Sequence, residues 1–170
     1  DPEASEDYAR VASGRHHERL SKFIESGEVA FGGGSDAETR YIQPTVLRKV
    51  APDAPVMREE VFGPILPVLP VRDVDQAIEF VNRGEKPLAL YLFTRDAEAE
   101  REVLARTTSG GACINGTILQ IANSALPFRG VGESGMGAYH GRFTFEAFSH
   151  RRAVLKRGFR FDLKLMYPPY

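Results

Sequence analysis

Ile65-Leu-Pro-Val-Leu-Pro-Val71, Asp73-Val-Asp-Gln-Ala-Ile-Glu-Phe-Val-Asn82, Leu88-Ala-Leu-Tyr-Leu-Phe93, the run from Asp96 to Thr107 and Ala112-Cys-Ile-Asn115 together decide the fold class. The first is a short apolar run bounded by proline, as expected of a strand buried on both faces. Asp73 stands where an N-cap belongs, with Gln76 three residues on as in a capping box. Val74, Ala77, Ile78 and Val81 then fall on one helical stripe. Leu88–Phe93 repeats the strand, and Asp96 caps an Ala/Glu-rich helix to about Thr107, ended by Gly110-Gly111. Ala112–Asn115 is a further short strand. Strand, helix, strand, helix, strand with short links predicts an α/β fold with right-handed crossovers on a mostly parallel sheet.

Outside that frame the signals are more local. Ser13 is a candidate cap for a helix over about residues 14–26, with Leu20, Phe23 and Ile24 on one face and Gly27 at its end. Val29-Ala-Phe31 reads as a short strand entering the loop Gly32-Gly-Gly-Ser35. Tyr41 to Val50 is strand-like, and Pro44 pushes it towards a sheet edge because proline donates no ladder hydrogen bond. Glycine at 130, 132, 135, 137 and 141 predicts an irregular loop. Phe148–Lys156 and the aromatic tail to Tyr170 read as a strand followed by an extended arm.

The composition excludes several classes of function. The 170 residues suffice for one domain with a real core, and 42% hydrophobic with 26% charged residues is ordinary for a globular chain. A net charge of -1 gives no attraction to nucleic acid or an anionic membrane. The lone Cys113 cannot close an internal disulfide, so a reducing compartment is expected. No apolar run approaches the roughly 20 residues that span a bilayer, and there is no leader-like start, so a cytoplasmic address is expected. Asp1 in place of methionine, followed by the polar Asp1–Asp7, suggests a processed or truncated chain.

Each candidate site has a plainer competing reading. In Met57-Arg-Glu-Glu-Val-Phe-Gly-Pro-Ile-Leu66 a carboxylate offers two acceptor oxygens, which suits the paired hydroxyls of a ribose. Phe62 could pack on a neighbouring ring. A solvated acidic turn would look the same on this motif alone. Gly130-Val-Gly-Glu-Ser-Gly135 matches a dinucleotide-binding pattern, but that pattern needs a strand before it, a helix after it and an acid about 20 residues on. Pro127 precedes it and Arg151-Arg152 stand where the acid belongs. Its glycines are expected to let a loop pass close to other backbone. Cys113 would need a cation or a helix N-terminus to become a nucleophile; between Ala112 and Ile114 it reads as a small buried strand residue. Arg151, Arg152, Lys156 and Arg157 read as a charged edge strand or subunit contact. His16-His17 reads as a solvated pair, and His140 and His150 lack metal-ligand spacing, so no metal is expected.

Taken in order, Arg40-Tyr-Ile-Gln-Pro-Thr45, Glu59 to Pro64, Lys86-Pro-Leu-Ala-Leu-Tyr91, Ser109-Gly-Gly111, Leu126 to Gly141, Phe148-Ser-His-Arg-Arg152 and Tyr167-Pro-Pro169 resemble the C-terminal part of an aldehyde dehydrogenase. The likeness is to the class-3 type that oxidises medium- and long-chain or aromatic aldehydes. It implies a partial catalytic domain over residues 1–137, an oligomerisation strand and tail over 138–170, an aldehyde substrate, NAD or NADP as cofactor, and a homodimer. It also implies that Glu60 binds the nicotinamide ribose, that Phe62 lies beside the nicotinamide, and that Ile118, Ile121, Phe128 and His140 line the aldehyde pocket. Asn115 falls on a family asparagine. The nucleophilic cysteine in its Gly-Gln-Xaa-Cys context and the glutamate base of the family have no counterpart here, so no catalytic residue is assigned. Arg129 replaces a glycine of the family's Pro-Phe-Gly-Gly. Two alternatives stay open: a non-catalytic oligomerisation module, or a thiol hydrolase using Cys113.

Overall fold

The structure is a computed structural model, and it describes residues 1–160 and 167–169. The part of the expected tail at 161–166 and 170 lies outside the described residues. The chain divides into two compact units, Asp1–Arg72 and Asp73–Tyr170.

In the first unit, α1 covers Gly14–Ile24, and the Ser13 hydroxyl accepts from the His16 backbone N–H as an N-cap should. His17, Leu20 and Phe23 recur at helical spacing and are buried. His17 corrects the expectation of a solvated pair. Its Nε2 lies 3.0 Å from the Tyr41 carbonyl, a partner 24 residues away that no local pattern reveals. Strand β1 (Glu28–Phe31) pairs antiparallel with β4 (Thr45–Arg48), and β4 pairs parallel with β5 (Ile65–Pro67). A separate ribbon joins β2 (Ser35–Asp36) to β3 (Tyr41–Ile42). The expected strand from Tyr41 to Val50 is therefore two strands broken around Gln43-Pro44. Thr45–Arg48 is not at an edge but in the middle of its sheet. Proline interrupts the ladder and the chain resumes pairing one residue later. The strand expected to reach Val71 stops at Pro67 for the same reason, with one further bond from Val68 N–H to the Leu47 carbonyl at 2.8 Å. A short helix α2 (Pro55–Arg58) begins with proline at its first position. Leu20, Phe23, Ile42, Leu47, Val50, Ala54, Val56 and Ile65 form the core of this unit.

In the second unit, β6 (Ala89–Leu92) and β7 (Gly111–Ile114) are parallel, with Ala89 opposite Gly111 and Leu92 opposite Ile114. Parallel neighbours need a long crossover, and α4 (Ala97–Arg106) lies within it. The Asp96 carboxylate caps α4 by accepting from the Glu98 and Ala99 N–H groups. Asp73 caps α3 (Val74–Arg83) through Gln76 N–H at 2.8 Å. The Arg106 guanidinium joins the two helices by reaching Asp75 on α3 and Glu102 on α4. Burial here is sparse: Ile78 and Val103 are the buried apolar residues of this unit among those described. Two short helices were not expected from the pattern, α5 (Leu119–Ala122) and α6 (Gly141–Ala147). Residues 149–158 form no strand within this single chain, and 151–160 are exposed.

Candidate functional site

Glu60 and Phe62 sit on an irregular segment between α2 and β5, in the first unit. The Glu60 carboxylate is exposed and has no hydrogen bond or ion pair among the described residues. Its neighbour differs: Glu59 Oε2 lies 3.5 Å from Arg19 Nη1 on α1. Arg19 also donates to the backbone carbonyls of Glu60 at 3.2 Å and Val61 at 2.9 Å. One adjacent carboxylate is engaged and the other is free to accept from a ligand.

Phe62 has a φ of 44°, a left-handed conformation uncommon for a bulky residue, and its side chain is 84% exposed. Gly63 allows the bend. A Cβ there would fall 2.6 Å from Leu20 Cδ1, so only a bare backbone fits over the core. Thr45 N–H then donates to the Pro64 carbonyl at 2.8 Å, anchoring the end of the segment to the sheet.

The other four expected residues belong to the second unit, and the structure brings two of them together. Phe128 and Tyr139 exchange backbone hydrogen bonds at 3.0 Å in an isolated antiparallel bridge. The Phe128 and His140 rings stack with centroids 5.9 Å apart, and Tyr139 meets His140 edge-on at 4.7 Å. His140 Nδ1 is buried with no partner among the described residues. Ile118 precedes α5 and Ile121 lies within it; Ile118 has a φ of 67° and is mostly exposed, while Ile121 is half-buried. Phe62, Ile118 and His140 all take positive φ. Such strain costs on the order of 1–3 kcal/mol each and gathers where surrounding structure or function demands it.

Asn115 is a positioning element. Its Oδ1 accepts from Thr94 N–H and its Nδ2 donates to the Thr94 carbonyl, both at 2.9 Å, which extends the β6–β7 pairing by one step. Cys113 sits half-buried in β7. The false dinucleotide pattern holds a single 3-10 turn, Gly132–Ser134, with Ser134 Oγ accepting from Val131 N–H and donating to its carbonyl. A Cβ on Gly130 would collide with the Ser134 carbonyl, and one on Gly110 with the Arg129 carbonyl. The loop thus passes close to other backbone, as its glycines predict. The residue that sequence reasoning missed is Arg19, because it acts on a segment about 40 positions away with no spacing signal.

The aldehyde dehydrogenase family profile matches residues 3–154, and the chain belongs to that family. It is 51% identical over 171 residues to aldehyde dehydrogenase family 3 member B1 of Rattus norvegicus, covering 99% of this chain and 36% of that protein. It is 48% identical over 170 residues to the dimeric NADP-preferring aldehyde dehydrogenase of Bos taurus, covering 99% of this chain and 71% of that sequence. The solved structure of Staphylococcus aureus AldH in its substrate-bound state superposes with a TM-score of 0.88 at 42% identity, covering 99% of this chain and 37% of that one. A NAD-dependent aldehyde dehydrogenase from Sinorhizobium meliloti gives 0.75 at 30% identity, with 83% and 29% covered. The chain therefore spans little more than a third of the rat and staphylococcal proteins.

Proposed function

We propose that the chain works as the C-terminal part of an NAD(P)-dependent aldehyde dehydrogenase that oxidises aldehydes to carboxylates through a cysteine thioester. The observation that carries this reading is the family match over residues 3–154; the cofactor contact is supported by the division of labour between the adjacent carboxylates, Glu59 tied to Arg19 and Glu60 left open. A free carboxylate with both oxygens available fits the two hydroxyls of a ribose. An exposed Phe62 ring beside it fits the face of a nicotinamide. A dinucleotide held at its ribose by Glu60 would supply the hydride acceptor that the oxidation needs. Glu60 holds the ribose, Phe62 packs beside the ring, and Ile118, Ile121, Phe128 and His140 wall the aldehyde pocket. The thiolate nucleophile and the general base come from outside this chain.

The same reading assigns residues 1–137 to the catalytic domain and 138–170 to the arm through which two copies form a homodimer in the cytoplasm. Exposed apolar residues support a chain that works inside something larger: Phe145 is 71% exposed, Phe148 87% and Leu155 93%. No helix among the described residues is long and apolar enough to cross a membrane. The test is an assay of cofactor reduction by the 170-residue chain with hexanal and benzaldehyde. No turnover is expected. Turnover that disappears in Cys113→Ser would overturn the reading and make Cys113 the nucleophile.

A further inference from the structure

The carboxylate proposed to grip the ribose stands on a segment with no regular structure, so something else must hold its backbone still. A displacement of about 1 Å can cost such a group on the order of 100-fold in rate. Arg19 makes the only side-chain hydrogen bonds to the Glu60 and Val61 carbonyls among the described residues. It sits on α1, whose face packs into the core through Leu20 and Phe23. The guanidinium lies 5.0 Å from the centroid of the Phe23 ring, and its side chain is only 27% exposed. A planar cation lying over a buried aromatic and forked over two successive carbonyls is a brace, a geometry that a lysine ammonium cannot reproduce. Its ion pair with Glu59 also removes that carboxylate as a competitor for the same ligand.

We propose that Arg19 is a positioning residue: it fixes the backbone of Glu60 and occupies Glu59, so that Glu60 alone presents its carboxylate to the ribose. This rests on the reading of Glu60 given above.

The test is a double-mutant cycle in the full-length protein that carries this chain, with kcat and the KM for NAD(P) measured separately. Arg19→Ala is expected to lower kcat about tenfold in the native background, a fraction of the loss that misplacement of a reacting group can produce. In a Glu60→Gln background Arg19→Ala is expected to have no further effect, since there is no carboxylate left to position. A merely structural role would lower both backgrounds alike. Arg19→Lys keeps the charge and the packing over Phe23 but not the fork, so it covers the case in which Arg19→Ala fails to fold; it is expected to fall between Ala and native. Slow Glu60→Gln with an Arg19 effect that is absent or equal in both backgrounds overturns this inference and leaves the reading of Glu60 standing. A Glu60→Gln enzyme as fast as native overturns both.

Discussion

Adding one methyl group at Gly63 should be costly, because the space its Cβ would take is already filled by Leu20. An ideal Cβ at this position falls 2.6 Å from Leu20 Cδ1 and 2.8 Å from Cδ2. Ordinary carbon–carbon contacts are about 3.5–4.0 Å, so roughly 1 Å of overlap must be relieved. Leu20 cannot swing aside into solvent: it is 1% exposed and packed among Phe23, Ile42, Leu47 and Ile65. Relief must come from an off-rotamer leucine or from movement of the Glu59–Pro64 segment, and overpacking of this kind costs about 1–3 kcal/mol. Gly63→Ala should therefore lower the unfolding free energy of the chain by that amount, read as a lower urea midpoint at an unchanged m-value. Leu20→Ala alone should cost about 2–5 kcal/mol through the cavity it leaves. The double substitution should cost less than the sum, because the new methyl partly fills the space the leucine vacates. A neutral Gly63→Ala, additive with Leu20→Ala, would refute the placement of this bend over α1.

Two further outcomes follow from the same structure. If Phe148–Lys156 pairs with a sheet edge in a second copy, replacing Ala153 or Leu155 with proline removes a backbone donor and should leave the full-length protein monomeric by light scattering where the native protein is the proposed dimer; a dimer indifferent to both prolines would place the interface elsewhere. Glu28 joins β1 to β4, and its carboxyl is held below its ordinary value by hydrogen bonds from Lys49 and then Arg48. A depressed carboxyl contributes stability that is present above its unfolded value and lost as pH falls through the folded one. The urea midpoint should thus fall from about pH 6 to about pH 3 less steeply in Glu28→Gln than in the native chain at low salt, and identical slopes would deny Glu28 a part in it.

What could be read from the sequence was local. Ser13, Asp73 and Asp96 cap helices through hydrogen bonds to groups two or three residues on, so the caps and the α/β alternation were legible. The helices α5 and α6 were not, because each is entered through a residue at positive φ, Ile118 and His140, with no capping side chain to announce it. Pro44 signals only a sheet edge; the break it makes and the central strand that follows were not legible, since sheet order is a tertiary fact. The burial of His17 and the brace by Arg19 depend on carbonyls 24 and about 40 residues away, and no periodicity carries them. The motif Glu59–Pro64 could be located from sequence; which of its two carboxylates is free could only be seen in space.

That asymmetry supplies the most direct measurement of the central claim: steady-state kinetics of Glu60→Gln and Glu59→Gln in the full-length protein. Gln keeps the shape of each side chain but turns one acceptor oxygen into a donor, which spoils the grip on a ribose diol. Glu60→Gln should slow turnover by up to about 100-fold, the scale set by loss of attack geometry. Glu59→Gln removes only a half-exposed ion pair, worth at most about 1 kcal/mol, and should change turnover little. Equal effects from the two substitutions, or a larger one from Glu59→Gln, would contradict the account.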